Sequence, residues 1–435
     1  MKTILRICLL LTFALTGLAS ARAQTDAPLV IVINVDGPIM PAMEEYVRRG
    51  LRVAEQRGAE ALILQLDTPG GHGGSMLDIM QAIRNSDVAV VVYVAPNGAQ
   101  AASAGAMITM AGRAAAMAPE TVIGASSPIS STGENLESTA EAKAKNDTKA
   151  AIRPLVTPRG ERALALAESM IDEAVAVTSD EALEAGLIDF IARDLDELLE
   201  KLDGFTVEMN NGARSLETTN ALVESLPMSF IEELLMLLTN PAIVLFLVGV
   251  GIQAVLIEIS SPGGWVAGFI GVVCITLGVY GAGYLPLNWF GIIFLVTAFV
   301  LFILDIKAPT HGALTAAGVA SFIVGALVLF NSPGTPDFAR VPLPAVILLA
   351  AILGVTFAVI VGFGVRALRR PVTMGVESMA GKTGTARTWS GVAGQVQMDA
   401  ELWSAESVPG SEPIRKGDTV EVVEVKGLRL KVKKK

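Results

Sequence analysis

Two neighbouring stretches decide the fold: ALILQLDTPGG at residues 61–71 and VAVVVYVAPNGAQAASAG at residues 88–105. Each is a run of apolar residues that ends in a glycine-containing turn. A third run, LVIVINV, precedes them at 29–35. Near-continuous apolar runs of this length read as strands buried on both faces. Helical periodicity fills the gaps at 41–57 and 75–85, and strand–helix alternation of this kind predicts a parallel sheet covered by helices. Both glycine turns then fall at carboxyl ends of parallel strands, where open α/β sheets gather their functional groups.

The two turns contain the chemistry. Gly70 and Gly71 free the backbone to aim N–H groups into a cleft, the construction of an oxyanion hole. Ser103 is followed by small residues (AGAM) that predict a helix, and its place at that helix N-terminus favours a developing alkoxide. Taken alone, PGG is also an ordinary turn and Ser103 also an ordinary N-cap.

Outward from this core, the composition changes. Of the 435 residues, 52% are hydrophobic and only 17% charged, against about 25% charged in a soluble chain. The excess is concentrated between 240 and 366, where five apolar runs (about 241–259, 264–284, 288–306, 311–330 and 342–366) are each long enough to cross about 30 Å of hydrocarbon. The first is the least secure, since it carries Gln253 and Glu258. At the start of the chain, Lys2 and Arg6, the apolar Ile7–Leu18 and Ala21-Arg22-Ala23 have the form of a secretory signal cut near residue 23. Five spans after an exported domain place the C-terminus inside, in agreement with Arg366, Arg369 and Arg370 after the last run. Residues 24–226 hold 15 basic and 30 acidic side chains, whereas residues 366–435 hold 13 and 8. A basic tail directly after a span suits an anionic inner leaflet better than a nucleic acid.

Between the catalytic region and the apolar runs, residues 205–217 predict a hairpin turning at Asn211-Gly212, and 227–239 an amphipathic lead-in to the membrane. Residues 376–433 hold five short β-rich stretches, which suit a small barrel of the OB type. Its aromatic platforms, Trp389 and Trp403, are few for base stacking. With Cys8 in the signal and Cys274 in an apolar run, no internal disulfide is expected in the mature chain. No Walker motif and no His/Cys cluster is present, so no nucleotide, metal or other cofactor is implied.

LDTPGG, about thirty residues before NGAQAASAG, then MAPETVIGASSP and the tail GQVQMDAELWSAES, resemble the long-form NfeD family. These are membrane-bound relatives of ClpP and signal peptide peptidase A, partners of stomatin-like proteins. The resemblance implies four parts: a signal peptide at 1–23, a ClpP/crotonase-like α/β protease domain at 24–226, a transmembrane region of about five helices at 227–370, and an OB-fold domain at 371–435. It implies a serine–lysine dyad, with Ser103 as nucleophile and Lys143, in the K-x-x-N of Lys143–Asn146, as base. The backbone N–H groups of Gly70, Gly71 and Ala104 would form the oxyanion hole. Neither His72 nor His311 is expected to act as a catalyst. The implied activity is that of a membrane-anchored serine endopeptidase cleaving hydrophobic segments of its partner. The implied partners are a stomatin- or flotillin-like membrane protein, a peptide or protein substrate, the lipid bilayer and further copies of the chain (a dimer or larger), with no nucleic acid.

Lys143 carries a physical difficulty. A base near neutral pH requires a lysine brought down from about 10.4 by roughly three units. Yet Lys143 lies in ENLESTAEAKAKNDTK, which without the resemblance reads as a solvated charged loop, and a helix there would place Asp147 one turn away. Lys145 is the alternative base. Two other functions share these residues. One is a crotonase-type enzyme stabilising a coenzyme A thioester enolate, which export disfavours. The other is a catalytically silent scaffold for a membrane partner.

Overall fold

The computed structural model describes residues 27–128, 138–260, 264–308, 310, 312–333, 335–368 and 379–435. The expected signal peptide at 1–23, His311, Arg369 and Arg370 lie outside them. The chain divides into two compact units after Val355.

In the first unit, strands β1 (Leu29–Asp36), β2 (Ala61–Asp67), β3 (Ala89–Val94), β4 (Gln100–Ala102), β5 (Ala114–Met117), β6 (Val122–Gly124), β7 (Ala176–Thr178) and β8 (Phe190–Ile191) come first. They alternate with helices α1 (Pro41–Gln56), α2 (Gly73–Asn85), α3 (Ala104–Ala111), α4 (Ser138–Val156), α5 (Glu161–Asp172) and α6 (Ser179–Ala185). Helix α7 (Leu195–Leu202), the hairpin β9 (Thr206–Met209) and β10 (Gly212–Ser215), and β11 (Leu222–Ser225) follow. The main sheet has the order β11-β1-β2-β3-β5-β8, and every neighbouring pair in it is parallel.

The two-residue period of a strand sends alternate side chains to opposite faces. Ile31, Ile33, Leu62, Leu64, Val90 and Val92 enter the larger core, which α1, α2 and α3 cover. Val30, Val32, Ile63, Val91 and Tyr93 enter a second core under α7 and the β9–β10 hairpin. Burial on both faces explains why these strands are apolar along most of their length. The hairpin turn differs by one residue from the expectation. Met209 pairs with Gly212, so Asn210 and Asn211 make the turn and Gly212, at φ +122°, opens the second strand.

Three short strands form a separate sheet of order β4-β6-β7. β4 runs parallel to β6, and β6 antiparallel to β7.

Helix α8 (Phe230–Leu238) opens on a capping box between Ser229 and Glu232. Arg49 of α1 grips the same Glu232 with two hydrogen bonds of 2.8 Å, one to each oxygen, and a third bond reaches Pro227 O. Burial pushes the Glu232 carboxyl up, but the Arg49 guanidinium and the bonds from Ser229 pull it below its ordinary range. The lead-in helix is thereby fastened to the N-terminal domain.

All five apolar runs form helices: α9 (Pro241–Ser260), α10 (Val266–Ala282), α11 (Trp289–Lys307), α12 (Ala313–Phe330) and α13 (Leu343–Leu368). α9 packs along α10, and α11 along α12. Among the described residues three segments are long and apolar enough to cross a membrane: Pro241–Ile259, Ala313–Phe330 and Asp337–Val359. Val266–Ala282 and Trp289–Asp305 are shorter. The 241–259 run is thus among the long ones despite Gln253 and Glu258.

In the second unit β12 (Thr383–Ser390), β13 (Ala393–Met398), β14 (Glu401–Ser407), β15 (Thr419–Lys426) and β16 (Arg429–Lys434) close a barrel of order β12-β13-β14-β16-β15. The parallel β14–β16 pairing amid antiparallel neighbours is the OB arrangement. Trp389 and Trp403 pack against its core.

Candidate active site

Ser103 is the turning point between β4 and α3. Its backbone lies at φ +51°, ψ −112°, a region that residues with a Cβ seldom occupy. Four hydrogen bonds fix it there. The Ser103 N–H donates to Gly124 O at 2.8 Å. Its carbonyl accepts from the N–H groups of Ala106 and Met107 and from Ser126 Oγ at 3.2 Å. A sharp strand-to-helix turn that thrusts a serine forward is the geometry of a nucleophile elbow. The side chain is half-buried, and all eight residues of the helix behind it are buried.

The DTPGG turn is built to meet that serine. Thr68 N–H donates to Gln100 O and Ala102 N–H to Thr68 O, so the turn joins β4 as a bridge. Asp67 Oδ1 takes the Gln100 N–H at 3.0 Å. On the other side, Ile39 N–H donates to Gly70 O and His72 N–H to Ile39 O, stitching in the loop after β1. Glycine is required at both central positions. A Cβ on Gly70 would fall 2.8 Å from Ser103 Cβ, and one on Gly71 would fall 2.3 Å from Ile39 O. Gly70 therefore lies directly beside the serine.

Of the three expected oxyanion donors, one is occupied. The Gly70 N–H donates to Thr68 Oγ1 at 3.1 Å. In the Ile39–Gly71 bridge the bonds run through Gly70 and His72, which leaves the Gly71 N–H outside them. Ala104, the first residue of its helix, also donates to no acceptor among the described residues, as the first N–H groups of a helix do.

The lysines are sorted by their partners. From Ser138 onward the charged segment forms the helix α4, packed on α3 and α5. Lys145 pairs with Glu141 at 2.7 Å and donates to Asp172 O, while Lys149 pairs with Asp172 at 2.9 Å. Lys143 is exposed and, among the described residues, makes neither an ion pair nor a hydrogen bond to Ser103. The feared Lys143–Asp147 pair is likewise not formed there; both side chains face outward. His72 caps α2 by accepting the Ser75 N–H on Nδ1, a structural task. Sequence reasoning passed over Asp67, Thr68, Gly124 and Ser126, whose work lies in backbone bonds between turns.

Residues 29–211 match the family described as NfeD1b, N-terminal domain. Residues 242–363 match the NfeD integral membrane domain, and residues 376–434 the NfeD-like C-terminal, partner-binding domain. The membrane-bound protease PH1510 of Pyrococcus horikoshii is 35% identical over 412 residues, 92% of each chain. Membrane protein NfeD1b of Bacillus subtilis is 27% identical over 356 residues, covering 76% of this chain and 75% of its own. Among solved structures, a lysine-to-alanine mutant of the 1510-N membrane-bound stomatin-specific protease, in complex with a substrate peptide, is 36% identical. It covers 48% of this chain and 96% of its own, with a TM-score of 0.45. An α/β domain with a parallel sheet, apolar helices and an OB barrel thus follow one another in the order of those three matches, and the chain belongs to the NfeD family.

Proposed function

We propose that this chain is a membrane-anchored serine endopeptidase with Ser103 as nucleophile and Lys143 as general base. The observation that carries the reading is the elbow conformation of Ser103 at φ +51°, pressed against Gly70. Ser103 Oγ adds to the scissile carbonyl carbon while its proton passes to neutral Lys143 Nζ. The N–H groups of Gly71 and Ala104 hold the oxyanion. Collapse breaks the C–N bond, and Lys143 returns the proton to the leaving amine. Water then hydrolyses the acyl ester through the same groups. Lys143, exposed in the single chain, comes into play when bound substrate or a second copy covers α4. The solved relative is a stomatin-specific protease and the C-terminal match is to a partner-binding domain, which together support a stomatin- or flotillin-like membrane protein as partner and substrate.

A silent scaffold for such a partner is the second reading, favoured by the exposure of Lys143. A fluorophosphonate probe separates them. Covalent labelling at Ser103 supports the enzyme; an unlabelled protein that still binds the partner supports the scaffold.

Membrane placement follows as a second proposal: an inner-membrane protein with its N-terminal domain outside and its barrel inside. Three spans or five put the two ends on opposite sides, so the loop after α10 decides between them. Tyr284 of that loop stacks edge-on against His72 of the N-terminal domain, with ring centroids 6.0 Å apart, which supports five. Reporter insertions near Leu285 and near residue 220 are both expected to register outside, and a fusion after Lys435 inside. An inside signal at Leu285 would reduce the count to three.

A further inference from the structure

Loops of the membrane half reach Gly71 and His72, at the end of the glycine turn that flanks Ser103. Tyr284, between α10 and α11, packs on the His72 ring at 84° to it, and Tyr280 supports Tyr284 with ring centroids 5.4 Å apart. Phe338, before α13, faces the same space. A cavity of about 330 Å³ opens between Gly71 and His72 on one wall and Tyr284, Leu285, Pro336 and Phe338 on the other. A second cavity of about 370 Å³ adjoins it under Phe338, bounded by Pro38, Met236 and Leu237. Both border the loop Pro38–Met40, whose Ile39 carries the two backbone bonds that hold the Gly70–Gly71 turn.

We propose that Tyr284 and Phe338 form a specificity pocket that seats a large apolar side chain of the substrate beside the scissile bond. This rests on the serine peptidase reading. A carbonyl oxygen held at the Gly71 N–H leaves its neighbouring side chain at the mouth of the cavity, because Gly71 is itself part of the wall. Aromatic and aliphatic groups line most of the opposite wall, so burial rewards a leucine or phenylalanine and offers little to a charged residue. The bundle therefore does more than anchor the protease: its outer loops read the sequence to be cut.

The test uses the full chain in lipid nanodiscs, with active enzyme titrated by fluorophosphonate and peptides differing only in one residue next to the cleavage point. Wild type is expected to prefer leucine or phenylalanine over alanine, and Phe338→Ala and Tyr284→Ala to lower that preference by about tenfold or more. Phe338→Trp, which fills the cavity instead of enlarging it, is expected to move the preference toward alanine. Labelled, folded variants with the wild-type preference would overturn the pocket while leaving the serine mechanism standing. A wild type that no serine probe labels would overturn the parent reading and the pocket with it.

Discussion

Replacing Ser103 by alanine is expected to lower peptide cleavage by about 10,000-fold or more while leaving fold and membrane insertion intact. The magnitude follows from the step that is lost: without Oγ no acyl intermediate forms, and only binding and oxyanion stabilisation remain. The fold is spared because the fixing bonds of residue 103 run through its backbone N–H and carbonyl, which alanine keeps. Loss of one half-buried hydroxyl also opens little cavity. Circular dichroism and membrane fractionation check the second half of the expectation. Cleavage at a tenth of the wild-type rate would end the serine mechanism.

The lysines give the second large effect. Lys143→Ala is expected to lose on the order of a thousandfold in kcat, and Lys143→Arg as much, because a guanidinium cannot give up its proton to become a base. Lys145→Ala and Lys149→Ala remove ties to Glu141 and Asp172. Ion pairs near a surface contribute at most about 1 kcal/mol, so these variants are expected to stay within a few-fold of wild type. Asp147→Asn is expected to leave the acid limb of the pH–rate profile in place, since that carboxylate faces outward and pairs with nothing among the described residues. A fully active Lys143→Arg enzyme would transfer the role to another group. The pattern across the series matters more than any single loss, because a merely disordered helix would be damaged by all three alanine variants alike.

The strands of the central sheet were plain in the sequence because burial on both faces leaves no choice of residue: β3 is AVVVYV, and every position is buried. The barrel was plain for a different reason, since glycine breaks separate its stretches at every connection but the one through Asp399 and Ala400. The short edge strands were not legible. Phe190–Ile191 and Leu222–Ser225 become strands only because β5 and β1 present open edges to pair with. At the site, AASAG and PGG marked Ser103 and the glycines, but nothing local distinguishes Gly70 from Gly71. Their division of labour depends on the Thr68 hydroxyl and on Ile39, a residue more than thirty positions earlier in the chain. Helix α4 was equally hidden. Its charges read as solvated, whereas Asp172 draws Lys145 and Lys149 onto α5 and does not hold Lys143. The loops at Tyr284 and Phe338 read as simple turn signals, and only the packing of the two halves gives them a cavity to line.

The backbone of Ser103 sets stability against activity at one residue. A side chain held at φ +51°, ψ −112° costs on the order of 1 kcal/mol, which a glycine would not incur. Ser103→Gly is therefore expected to melt at a higher temperature than wild type and to be inactive, whereas Ser103→Ala, equally inactive, gains nothing in a thermal melt of the same chain. Glycine at 103 melting no higher than alanine would show the elbow to be unstrained. If the gain is found, selecting this protein for heat resistance alone would lead away from its proposed nucleophile, and a search for sturdier variants that keep the proposed activity must hold position 103 fixed.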